Sequence, residues 1–335
     1  MKKFNIIFPL AICLLLFSAC KDRKQYFEER GSIFHTLYTI KYEANTPLTD
    51  SIEAEFKTFN LSLNPFNPNS IISKINKNEP VDADDLFITV FNSSQEISAQ
   101  TQGAFDATVA PLVNLWGFGF NKMDSVTPAM IDSIKTFVGW QKIHLNGRTV
   151  IKDDPRIMLN FSAIAKGYAS DVIASLLERN GVENYMVEIG GEVTMKGINQ
   201  AGNCWRIGIN KPIDNAAIGS NDGIEEIFSP CKQCGLATSG DYRNFYEKDG
   251  KRYAHTINPS TGYPAAQNIL SATIITTDCM TADGYATAFM VMGAEKAIET
   301  ASRIPSIDYF LIYTDDRGQY KTACSNNIRS YMSKH

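Results

Sequence analysis

The chain has 335 residues, 44% of them hydrophobic and 20% charged, with a formal net charge of −4. That is enough for one large domain or two closely packed lobes. It excludes a disordered, collagen-like or coiled-coil chain, and it leaves no basic footprint for nucleic acid.

The first twenty residues differ in kind from the rest. Lys2 and Lys3 precede the apolar run Ile6–Phe17, which is broken only by Pro9. The run is too short to span a bilayer, so a secretory signal is expected over residues 1–19. Ser18 and Ala19 lead into Cys20, and LFSAC is similar to a bacterial lipobox, whose cysteine is acylated and becomes the new N-terminus. A plain signal peptide with a cysteine nearby is the alternative. The lipid anchor is preferred because the charged segment KDRK follows Cys20 directly. Each buried CH₂ of an acyl chain contributes roughly 0.8 kcal/mol, so a multiply acylated cysteine holds without a spanning helix. The chain is then expected at the extracytoplasmic face of a bacterial envelope, with residues 20–30 as a polar tether and one domain over 31–325.

In chain order, partial alternation of Ile33, Leu37, Tyr38, Ile40 and Tyr42 predicts a strand over Ser32–Tyr42. A helix starts at Thr49-Asp50, carries Ile52, Phe56 and Phe59 on one face, and is broken by the prolines of NPFNPNS. Helices follow over Ile71–Asn76, Asp82–Thr101 and, more weakly, Ile131–Val138, with loops at GFGF and 121–128. Asn146-Gly147 marks a hairpin over Ile143–Ile151. The clearest helix is Ser162–Asn180, with Val172, Ile173, Leu176 and Leu177 inward and Gly181 as its stop. Strands are predicted at Tyr185–Ile189, Val193–Ile198 and Trp205–Asn210, a loop at 212–223, and a strand-rich stretch to Ile257. The strand Leu270–Thr277, helices Cys279–Val291 and Ala294–Ser302, and strands Tyr309–Tyr313 and Gln319–Thr322 complete the chain. Helices and strands do not alternate in the βαβ manner. The fold class is therefore α+β, with largely antiparallel sheets and packed helices.

With Cys13 in the signal and Cys20 in the anchor, five cysteines remain, among them the C-x-x-C pair Cys231 and Cys234. A zinc ribbon would need a second such pair. A local Cys231–Cys234 disulfide and two free thiols are the alternatives.

Five segments concentrate chemistry. In GAFDATVAPLVNLWGFG (103–119), Asp106 precedes a helix-like stretch and reads first as an N-cap. In NFSAIAKGYASD (160–171), small residues and Lys166 at a helix start suit a pyrophosphate, although the spacing is not that of a P-loop. The Gly-Gly of VEIGGEV (187–193) permits a tight turn or a close approach of backbone to ligand. LATSGDYRNFYEKDGKRYAHTINPSTGYP (236–264) gathers hydroxyls, Asp241, Arg243, His255 and Asn258; His255 is either a structural hydrogen-bonder or a base. In CMTADGYATAFMVMG (279–293), Asp283 and Thr287 share a helix face and offer two hard oxygens suited to Mg²⁺; alternatively Asp283 complements the helix dipole.

Taken together, G-A-F-D-A-T, A-I-A-K-G-Y, I-G-G, T-S-G-D-Y, H-x-x-N-P-x-T-G-Y-P and A-D-x-x-A-T-A resemble the ApbE family of FAD:protein FMN transferases, from about Gly31 to Met292. The resemblance implies an α+β fold related to the T-fold. It implies FAD contacts at Ala104, Phe105, Asp106 and Lys166, with Thr256 and Ile257 lining the cofactor pocket. It implies Mg²⁺ on Asp283, Thr287 and the Ala163 carbonyl, and a catalytic role for His255. Phe34-His35-Thr36 stands where the family usually shows Met-Gly-Thr, so Phe34 is the residue placed to cover a flavin ring. Phe66 matches a family tyrosine without its hydroxyl, and Asn160 a family aspartate without its charge. The CKQC insertion is not a family feature. The implied activity is Mg²⁺-dependent transfer of FMN from FAD to a Thr or Ser of an exported or membrane flavoprotein, with AMP released. The implied acceptor sequence is like Ser/Thr-Gly-Ala-Thr/Ser. An FAD pyrophosphatase that releases FMN and AMP, and a non-catalytic FAD-binding lipoprotein, are the competing functions.

Overall fold

The computed structural model describes residues 24–119, 126–211, 224–240, 245–248, 251–254 and 256–333. The expected signal, Cys20, the 212–223 loop, most of the 121–128 loop and His255 lie outside the described residues.

An eight-stranded sheet organises the molecule. Its strands are β1 (Gln25–Ile33), β2 (Thr36–Ala44), β5 (Tyr185–Ile189), β6 (Glu192–Lys196), β9 (Cys234–Gly240), β12 (Ile269–Thr276), β13 (Asp308–Thr314) and β14 (Tyr320–Cys324), side by side in that order. Every neighbouring pair is antiparallel. A hairpin of β3 (Ile143–Asn146) and β4 (Thr149–Lys152), a second of β10 (Phe245–Lys248) and β11 (Lys251–Ala254), and a small sheet of β7 (Ile207–Asn210), β8 (Ile224–Phe228) and β15 (Met332–Ser333) complete the strands.

The central strands alternate between two covered faces, which is why their sequences are apolar at successive positions. On β5, Tyr185, Val187 and Ile189 point into the main core. They meet α6 (Ala165–Arg179), which packs on α7 (Cys279–Met292), with α1 (Thr49–Leu63), α2 (Ile71–Asn76) and α3 (Asp85–Gln100) beyond. On the other face, Val193, Met195, Cys234, Leu236, Ile275, Phe310 and Ile312 form a second core with Trp205, Ile209 and Phe228 of the small-sheet region. Each fully buried large apolar side chain contributes about 1.5–3 kcal/mol. A third cluster joins α4 (Ala110–Leu115) and α5 (Pro128–Lys135) to Ile257; α8 (Ala294–Ser302) packs on β13. Among the described residues no helix is long and apolar enough to cross a membrane.

Three expectations are corrected. The tether expected through residue 30 gives way at Gln25 to β1, an edge strand paired along its length with β2. Its charges, Glu28, Glu29 and Arg30, hide the strand from a hydrophobicity pattern, as edge strands often do. The predicted strand Ser32–Tyr42 is instead interrupted by a two-residue turn, Phe34-His35, both residues with positive φ (52° and 62°). The expected domain end at 325 is exceeded, because Met332-Ser333 pairs with β8. The C-x-x-C pair is also resolved: Cys231 bonds to Cys204, 27 residues away, while Cys234 is free and buried in the second core. As the first residue of β9, Cys234 follows the strand's alternation inward, whereas Cys231 sits on the exposed loop before it.

Candidate functional site

The site is built where α6 meets α7. Gly167 stands at the contact: a Cβ there would lie 2.2 Å from the Cys279 carbonyl oxygen and 2.9 Å from Asp283 Cβ. Only hydrogen fits, so the helices approach closely, and the Gly167 N–H donates to Asp283 Oδ2 at 3.1 Å. Gly235 of β9 allows the same closeness, since its Cβ would meet the Cys279 nitrogen at 2.2 Å. Asp171, one turn along α6, clamps the start of α7. Its carboxylate accepts from the N–H groups of Cys279 (2.9 Å) and Met280 (2.8 Å) and from the Thr194 hydroxyl (2.7 Å). Asp278 caps the same helix by accepting from Thr281 N–H at 2.8 Å. Burial pushes the Asp171 carboxyl up to about 7 despite those donors.

A cavity of about 900 Å³ opens beside this contact, within the range that holds a cofactor-sized ligand. Lys166 reaches into it, 2.9 Å from Glu192 Oε1 and 3.7 Å from Asp283 Oδ2. Burial alone would lower the Lys166 ammonium, but Asp283 and Glu192 outweigh it and hold the group above its usual range. Burial likewise raises the Glu192 carboxyl, which Lys166 only partly opposes. Thr287, one turn after Asp283 on α7, lies 3.4 Å from the Ser239 hydroxyl of β9. The turn Gly190-Gly191 between β5 and β6 has positive φ at both residues (68° and 104°) and passes the Lys166 stem.

Of the twelve described residues named from sequence, the cavity brings eleven together: Phe66, Ala104, Phe105, Asp106, Asn160, Ala163, Lys166, Thr256, Ile257, Asp283 and Thr287 all line it. Phe34 lines a smaller adjoining pocket of about 150 Å³, which shares Phe66 and Lys166 with the large one. The Phe34 ring packs on Phe59 at 5.1 Å, and His35 meets Phe66 edge-on at 5.4 Å.

Asp106 is not a helix cap. Helix α4 begins at Ala110 with Val109 before it. Instead Asp106 Oδ1 accepts from Thr108 N–H and hydroxyl (2.8 and 2.7 Å), and Oδ2 from Trp140 N–H (3.0 Å). It ties the 103–109 segment to the chain before β3, and burial raises its carboxyl in spite of those bonds. Asn160 Oδ1 accepts from Ser162 N–H at 2.8 Å and shapes the approach to α6. Thr256 and Ile257 are held by the N-P-S-T-G turn. Asn258 Oδ1 accepts from Ser260 N–H at 3.0 Å, and Trp116 Nε1 donates to the Gly262 carbonyl at 2.8 Å. Glu192 and Asp171 were not singled out from sequence. The available signals were a carboxylate directly after Gly-Gly and an aspartate on the helix whose first turn holds Lys166.

The profile of the ApbE family matches residues 34–311. The chain is 37% identical to an FAD:protein FMN transferase of Vibrio cholerae serotype O1, over 96% of this chain and 97% of that protein. It is 35% identical to one of Haemophilus influenzae, over 94% of each. The chain belongs to the ApbE family. Its fold agrees: the flavin transferase ApbE from Vibrio cholerae superposes with a TM-score of 0.82 at 35% identity, covering 92% of this chain and 99% of that one. The apo flavinyl transferase ApbE of Pseudomonas stutzeri gives 0.81 at 29% identity, covering 92% and 97%. In this ApbE chain, as in any α+β protein, the sheet only carries the site; the chemistry lies in the cavity side chains.

Proposed function

We propose that the chain performs the reaction for which its relatives are named, transfer of FMN from FAD to a Ser or Thr of a partner protein. The observation that carries this is one cavity, of dinucleotide-binding size, in which Lys166, Asp283 and Thr287 share a wall. In the proposed reaction the phosphoanhydride of FAD breaks and AMP leaves. The acceptor oxygen forms the new bond to the FMN phosphorus, and its proton passes to a base. His255 is the proposed base, because a histidine imidazole exchanges protons readily near neutral pH.

Mg²⁺ is part of this proposal. Among the described residues no three His, Cys, Asp or Glu side chains group as a metal site. The donor set is instead mixed, and it fits a hard ion that keeps water or substrate oxygens in its remaining positions. Because Gly167 N–H donates to Asp283, the Ala163 carbonyl accepts no backbone N–H among the described residues. Ala163, Asp283 and Thr287 all line the cavity. When bound there, the ion would neutralise charge on the pyrophosphate. Lys166 would add positive charge toward the same group. Phe34 and Phe66, which line the two adjoining pockets, would meet the flavin ring system, and Ala104–Asp106 with Asn160 would shape the wall around it.

The proposed acceptor is a segment like Ser/Thr-Gly-Ala-Thr/Ser in an exported or membrane flavoprotein, reached from a Cys20-anchored enzyme at the envelope surface. The test mixes the full chain in detergent with FAD, Mg²⁺ and a small protein bearing such a segment. An acceptor mass gain equal to FMN, lost in Asp283→Ala, is expected. AMP and FMN in solution with the acceptor unmodified would replace transfer by hydrolysis. FAD bound with no AMP released would leave a binding protein.

A further inference from the structure

We infer that Glu192 is a positioning residue that holds the Lys166 ammonium off Asp283 and so keeps that carboxylate available to a divalent cation. The inference rests on the metal role proposed above for Asp283. One ammonium lies between two buried carboxylates whose side chains are 6% and 3% exposed. It is ion-paired with Glu192 at 2.9 Å and stands farther from Asp283, at 3.7 Å. Against so buried a carboxylate, an ammonium closed onto Asp283 would compete with any cation. Glu192 is the rival partner that prevents the closure.

Two further observations favour this role. Glu192 Oε2 is buried with no hydrogen-bond partner among the described residues. A carboxylate kept for the fold alone would have both oxygens satisfied, and leaving one bare costs stability. What the carboxylate supplies here, and a neutral amide would not, is enough charge to compete with Asp283 for the ammonium. The turn before it is shaped to the same end. A Cβ on Gly190 would lie 3.1 Å from Lys166 Cδ, so any side chain there would crowd the stem that runs toward Glu192. With a cation on Asp283 the ammonium is repelled from that side, and Glu192 is the partner left to it.

The test is a double-mutant cycle on the full chain in detergent, titrating Mg²⁺ alone by calorimetry. Glu192→Gln is expected to weaken Mg²⁺ binding about 10-fold in the presence of Lys166, and less than ~3-fold in a Lys166→Met background. Equal losses in both backgrounds would reduce Glu192 to a through-space charge and overturn the inference, as would no loss in either. Lys166→Met alone needs no change at Glu192 and is expected to bind Mg²⁺ at least as tightly as wild type; weaker binding would also overturn it. If wild type binds no Mg²⁺, or binds it unchanged in Asp283→Ala, the metal assignment itself fails and the inference with it. If wild type binds and Asp283→Ala does not, a failed cycle sinks the role of Glu192 alone.

Discussion

Replacing Gly167 by alanine sets two effects of opposite sign against each other. Gly→Ala inside a helix normally stabilises, by up to about 1 kcal/mol. Here the added methyl would lie 2.2 Å from the Cys279 carbonyl oxygen and 2.7 Å from its carbon, both backbone atoms that no rotamer change can move. To reach ordinary contact near ~3.5 Å, α6 and α7 must part by about 1 Å. Such overpacking costs about 1–3 kcal/mol. The parting also stretches the Gly167 N–H bond to the Asp283 carboxylate, now 3.1 Å, and a hydrogen bond to a charged group contributes about 1.5–3 kcal/mol. The net expectation is destabilisation by about 2–4 kcal/mol. Urea unfolding followed by circular dichroism measures it, with Mg²⁺ affinity as a second readout of the displaced Asp283. A Gly167→Ala protein as stable as wild type, or more so, would refute the account of the α6–α7 contact.

Replacing His255 by alanine should abolish FMN transfer while sparing FAD binding; unchanged transfer would remove His255 from the mechanism. Stability should fall as pH rises from about 4 to about 7. The Asp171 carboxyl is raised to about 7 when folded, so its contribution is full below the unfolded value near ~3.9 and is lost through the folded one. Asp171→Asn should flatten that fall by up to about 1.4 kcal/mol per pH unit, leaving the share due to Glu192, and an unchanged profile in urea melts would disprove it. Opening the Cys204–Cys231 bond, which closes a loop across 27 residues, should cost roughly 3–4 kcal/mol. Cys204→Ser should therefore lower the unfolding midpoint, whereas Cys234 and Cys279, both buried thiols raised by desolvation, should resist alkylation until the chain unfolds.

Much of the site was legible as local pattern. The A-I-A-K-G and A-D-x-x-A-T segments carried their own spacing, so Lys166, Asp283 and Thr287 could be named before any fold was drawn, and one cavity wall holds them. The long helices were equally legible: α3 and α6 fall within a few residues of their predicted bounds because their apolar stripes repeat at helical spacing. The first strand was not, because an edge strand faces solvent and needs no apolar alternation. Asp106 misled for a related reason. An aspartate before a helix-like stretch has several donors within reach, and which of them it takes depends on where Trp140 lies, 34 residues on.

The sequence by itself determined what is local: the antiparallel α+β character, the helix stripes, the glycines of the β5–β6 turn, and the residue types able to handle a pyrophosphate. Only the tertiary structure decided what depends on distant residues meeting. It paired Cys231 with Cys204 rather than with its neighbour, because β9 turns Cys234 into a core. It set Asp171 of α6 under the start of α7, and it set Glu192 of β6 against Lys166. Those contacts join groups 108 and 26 residues apart, and no periodicity within one segment records which remote partner closes a buried charge.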